Sequence, residues 1–147
     1  MGLLDRIRRG SYTADLDTGP DSPSGRSLSL AKVAARVSDG EELLPVVRDL
    51  LDQVKRRDDR ELADLIRVRP TSTGSGRADA LLAGVAEHLA AVRSLPCPSW
   101  VREPERFLNA FWFVSDVPEF RAVALAQTPI ALKRRGIFWP ARSLERV

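Results

Sequence analysis

Residues 77–95, RADALLAGVAEHLAAVRSL, set Ala78, Leu81, Leu82, Val85, Leu89 and Val92 three or four positions apart, the spacing of one buried helical stripe. Pro96 and Pro98 in the PCPSW that follows force an extended link and end the helix. The same period recurs in EELLPVVRDLLDQVKRR, where Leu43, Val47, Leu50, Leu51 and Val54 share a face. Pro45 is tolerated only in a first turn, which places the helix start near Leu43. DDRELADLIRV repeats the pattern with Leu62, Leu65 and Ile66, and Asp58 or Asp59 can cap it. LAKVAARV forms a shorter helix before a turn at 38–40. No run alternates apolar and polar residues strongly enough to demand a sheet. The expected fold class is mainly α, with about six to seven helices and an irregular or short-strand C-terminal tail.

With 147 residues, 44% of them hydrophobic, the chain can bury one core. Residues 10–29, GSYTADLDTGPDSPSGRSLS, are rich in Gly, Ser, Asp and Pro and show no apolar period. The expected organisation is a flexible arm over 1–29 and a single helical domain over 30–147. The start, MGLLDRIRRG, lacks the apolar run and cleavage pattern of a secretory signal. No stretch approaches the roughly 20 apolar residues of a membrane span. Cys97 is the one cysteine, so no internal disulfide can form, which suits a reducing cytoplasm. Of the 23 basic residues 20 are arginine, a bias that together with the Ala-rich stretches suggests a GC-rich coding genome.

Catalytic signatures are missing. TSTGSG before a helix resembles a phosphate loop, but it has neither the preceding strand nor the Lys-Ser/Thr pair of a Walker motif and reads as an interhelical loop. His88, the only histidine, has no second His or nearby Cys with which to hold a metal. Cys97 has no basic sequence neighbour to activate it. LSLAKVAARVSDGEELLPVVRDLL has a helix-turn-helix outline, yet its second helix opens with Glu41 and Glu42, which phosphates would repel. These features set the expectation of no catalytic residue, no cofactor and no metal.

Eight of the nine aromatic residues lie between Trp100 and Trp139. The basic residues are concentrated there too: residues 121–147 carry six basic side chains and one acidic, whereas residues 1–120 carry 17 and 19. In EPERFLNAFWFV, Pro104 and the flanking glutamates suit a helix start, after which Phe107, Phe111 and Val114 form a stripe with Leu108 and Trp112 beside it. Most of these aromatics, Trp112 included, are expected in the core. Phe113 falls opposite the stripe. SDVPEFRAVALAQ suggests another helix capped by Asp116, and TPIALKRRG a further one from Thr128-Pro129 to Gly136. Lys133, Arg134 and Arg135 then sit in a last turn, where the helix dipole favours cations, and Arg134 and Arg135 are expected to face solvent. Aromatics beside arginine are the composition of protein–protein hot spots. The expected partner-binding residues are Phe113, Lys133, Arg134, Arg135, Phe138 and Trp139.

Taken together, LPVVRDLLDQV, RADALLAGVAEHLAA, the run from PSWVREPERF to LKRRGIF, and LERV resemble the region that follows the DNA-binding domain in some actinobacterial XRE-type regulators. The resemblance covers about residues 30–147 and is most specific from Trp100 to Phe138. Members of that group can be antitoxin-like and encoded beside nucleotidyltransferase-like toxins. The resemblance implies a non-catalytic antitoxin whose partner is a toxin protein, a nucleotidyltransferase in this group. The resemblance then implies a chain that keeps the partner-facing region without the usual DNA-reading domain of about 60 residues, since a polar arm stands before Leu30 in this sequence. The alternative expectation is a nucleic-acid-associated transcriptional regulator that uses the same basic tail.

Overall fold

The computed structural model describes residues 28–145, with seven α-helices and two short strands among them. The helices are α1 (Leu30–Ser38), α2 (Leu43–Val54), α3 (Asp59–Arg67), α4 (Gly76–Val92), α5 (Arg121–Gln127), α6 (Ile130–Lys133) and α7 (Ala141–Glu145). The strands are β1 (Trp112–Phe113) and β2 (Ile137–Phe138). The mainly α expectation holds, and a short strand does occur in the tail. Of the expected arm, residues 1–27 lie outside the described residues. Leu28 and Ser29 belong to the folded body: Leu28 is buried and donates its N–H to Gln53 Oε1 at 2.9 Å, and Ser29 caps α1.

Local chemistry sets several boundaries where expected. The helix α2 starts at Leu43, with Pro45 in its first turn, and buries Val46, Val47, Leu50, Leu51 and Val54. Asp58 caps α3 through a capping box with Glu61, satisfying two otherwise unpaired backbone donors. Gly136 stops the α6 segment at φ +83°, a conformation that costs glycine little.

The helix α4 is the axis of the molecule. It packs against α1, α3, α6 and the 3₁₀ turns at Ser99–Arg102 and Pro104–Arg106. Residues 78–86 are buried on every side, so its first half is a central helix and not one with a single buried stripe. Val92, assigned to that stripe, is exposed. Gly84 brings α6 close, because a Cβ there would collide with the Leu132 side chain. The loop before α4 is closed by the protein itself. Asp79 accepts hydrogen bonds from Ser72 Oγ at 2.6 Å and from Thr73 N and Oγ1 at 2.8 and 2.9 Å, while Ser75 caps the helix.

The segment 104–114 is not the expected helix. After the turn Pro104–Arg106 the chain becomes extended at Phe107 (φ −123°, ψ 134°) and reaches β1. There Trp112 and Phe113 pair in parallel with Ile137 and Phe138. Trp112 N–H donates to Gly136 O at 2.7 Å and Val114 N–H to Phe138 O at 3.1 Å. A parallel pair requires a long crossover, and α5 and α6 supply it. Asp116 caps neither element; a 3₁₀ turn at Pro118–Phe120 leads into α5. The tail beyond β2 forms α7, which packs on α2.

Candidate partner-binding cleft

The parallel pair builds an aromatic stack. The Phe113 and Phe138 rings lie 4.8 Å apart at 19°, and Phe111 meets Phe138 edge-on at 5.2 Å and 79°. Stacked and edge-to-face pairs each add about 0.5–1.5 kcal/mol beyond burial. One end of this stack opens into a cleft of about 310 Å³. Phe113, Phe138 and Trp139 line it from the strands, and Leu44 and Arg48 from α2. Phe120, Arg121 and Ala124 contribute from the α5 side, and Arg142 and Ser143 from α7.

Three arginines and no carboxylate line the cleft. Arg121 lies over the Phe113 ring at 5.4 Å and Arg48 over Trp139 at 5.9 Å. A guanidinium drawn to a ring by its charge still has N–H donors to offer a second partner. Among the described residues, none of Arg48, Arg121 and Arg142 pairs with a carboxylate.

The six expected contact residues do not form one surface. Phe113 is half-buried, while Phe138 and Trp139 are buried, and all three line the cleft as its apolar wall. They are not the protruding anchors expected of them, because strand pairing turns them inward. Lys133 is half-buried at the end of α6 and lies outside the cleft lining. Arg134 is exposed but pairs with Glu87. Arg135, expected in solvent, is 0% exposed. It donates to Glu87 Oε1 at 2.6 Å, to Ala131 O at 2.7 Å and to Val101 O at 2.6 Å, and lies over the Phe107 ring at 4.6 Å. The turn at Gly136 lets the chain reverse there, so the Arg135 side chain points back onto α4 instead of outward.

Electrostatics follow from that arrangement. Burial works against ionisation of Glu87, yet hydrogen bonds and charge from Arg134 and Arg135 outweigh it and hold the carboxyl below its usual range. Burial lowers the Arg135 guanidinium, with Glu87 acting in opposition. Arg106 is a second buried arginine. It donates to Asp79 O and Pro70 O at 3.3 and 3.0 Å and lies over Trp100 at 4.7 Å. Both arginines clip the C-terminal third onto α4 or its approach loop.

Arg48, Arg121 and Arg142 were not among the expected contacts. The excess of positive charge after residue 120 held the signal for two of them. Arg48 follows Val47 onto the outer side of α2, where nothing local distinguishes it from other surface charges. Among the described residues, no group of three or more His, Cys, Asp or Glu is placed to hold a metal. His88 is half-buried on α4, and Cys97 is half-buried in a separate depression between α3 and the 96–98 segment. Comparison with protein-family models, with curated proteins and with solved structures finds no match to this chain.

Proposed function

We propose that this chain is a non-catalytic, antitoxin-like protein of the cytoplasm that binds a toxin enzyme through its C-terminal third. One observation carries the reading. Of seven exposed large hydrophobic residues among those described, five fall between positions 111 and 130: Phe111, Val117, Phe120, Leu125 and Ile130. Phe111 and Ile130 are 73% and 70% exposed. Apolar side chains gathered on one segment beside arginines are costly to leave wet and have the make-up of a partner surface. The resemblance to XRE-associated antitoxin-like regions names the partner class, a toxin of the nucleotidyltransferase type.

The nucleic-acid alternative draws on the same basic C-terminal segment. Within that segment Arg135 is internal and shares the single Glu87 carboxylate with Arg134, so the run 133–135 exposes fewer free cations than its sequence suggests. No helix among the described residues is long and apolar enough to cross a membrane.

The test is co-expression of the full chain with the product of the neighbouring gene, scored by co-purification and by relief of any toxicity that product shows. The variant Phe120→Asp with Leu125→Asp should fold, since exposed changes cost under about 0.5 kcal/mol each. It should also lose most of the co-purifying product. Retention of DNA in place of a stoichiometric protein would refute the reading.

A further inference from the structure

We propose that the cleft between α2, α5, β2 and α7 receives an acidic segment of the partner protein, with one aromatic or bulky apolar side chain entering the cleft and flanking carboxylates meeting the arginines. The inference rests on the reading of the chain as a protein binder and names the chemistry of what it binds.

Charge complementarity selects the occupant. The lining holds three cations and no anion, and no carboxylate among the described residues neutralises them. Two of the three are already oriented by rings, so they lose little freedom when a carboxylate arrives. Arginine forks match carboxylates in bidentate geometry and give the stronger class of hydrogen bond. The apolar wall of Phe113, Phe138 and Trp139 adds a place for one large side chain within the 310 Å³.

A nucleic-acid strand fits the same cations less well, because it needs free ring faces on which bases stack. Phe113 already carries Phe138 stacked on it and Arg121 over its ring. Trp139 is 3% exposed with Arg48 over its ring. The deeper rings therefore offer few free faces on which bases could stack.

The experiment is a fluorescence-anisotropy titration of the full chain with a fluorescein-labelled peptide, Gly-Asp-Glu-Phe-Asp-Glu-Gly. Its controls are the same peptide with Asn and Gln in place of the acids, and a labelled single-stranded oligothymidine. The expected result is saturable binding of the acidic peptide, weakened at least about tenfold by neutralising its acids. The variant Arg48→Gln with Arg121→Gln should weaken binding by a similar factor while it still folds cooperatively and melts only a few degrees lower, both positions being exposed. Absence of acidic-peptide binding, equal binding of the neutral peptide, or tighter binding of the oligonucleotide would each overturn the proposal. If the peptide fails while the product of the neighbouring gene still co-purifies, the cleft assignment falls and the binding function stands. If the peptide binds and that product does not co-purify, the reverse holds.

Discussion

Arg135 places a full positive charge where the protein admits no water, and three acceptors make that tolerable. Removing the guanidinium leaves Val101 O and Ala131 O without this donor and Glu87 with Arg134 alone. Breaking a buried charged pair from one side costs about 3–5 kcal/mol, so Arg135→Met should lower stability by about 3 kcal/mol despite its similar length. Reversal to Glu should be worse, since it would set two carboxylates together at Glu87. The expectation that both Arg134 and Arg135 face solvent therefore fits Arg134, which is exposed, and fails at Arg135, which is buried. A thermal melt of each single variant distinguishes them. No local pattern reveals which of two adjacent arginines turns inward, because the turn at Gly136 and the distant Glu87 decide it.

At the scale of elements, α4 and α6 approach closely because residue 84 has no side chain. Gly84→Ala gains about 1 kcal/mol of helix propensity, but the added methyl must displace the fully buried Leu132. Overpacking costs about 1–3 kcal/mol, so the variant should be net destabilised, read as a lower urea midpoint. An unchanged or raised midpoint would show that Leu132 repacks freely. Helices whose signals are local were legible: α2 from Pro45, α3 from the Asp58 box, the α6 stop from Gly136. The segment 104–114 was not. Its Phe107, Phe111 and Val114 do follow a helical spacing, but β1 exists only because Ile137 and Phe138 are brought beside it, and pairing across a crossover leaves no short-range trace. The small residues Ala80, Ala83, Gly84 and Ala86 hid the central position of α4, since a helix lined with them packs on all sides without an extended apolar run.

For the whole molecule, two partly buried carboxylates, Asp79 at the start of α4 and Glu87 beneath the C-terminal third, set its response to acid. Asp79 is disfavoured by burial, but hydrogen bonds from Ser72 and Thr73 together with the Arg106 charge outweigh this and lower its pKa. Glu87 is lowered in the same way by Arg134 and Arg135. A carboxyl with a depressed folded-state pKa adds stability that is fully present above its unfolded value, about 4. That stability is lost as pH falls through the folded value, because the unfolded chain then binds more protons. Urea midpoints should thus be nearly equal at pH 7 and pH 5.5 and markedly lower at pH 3. Equal midpoints at pH 3 and pH 7 would show that neither carboxylate contributes. The candidate site was half legible: its aromatics and its excess charge could be read from the chain, whereas the arginines that rim the cleft come from three helices far apart in sequence.

The account divides the arginines into those that hold the C-terminal third together and those that face a partner. The most direct measurement pairs a melt with the acidic-peptide titration for two variants, Arg135→Met and Arg121→Gln. Arg135→Met should lose about 10 °C or more of melting temperature while the molecules that remain folded bind the peptide normally. Arg121→Gln should melt within a few degrees of the parent and bind at least about tenfold more weakly. The opposite pattern, with binding lost at Arg135 in a fully stable protein and retained at Arg121, would contradict the account.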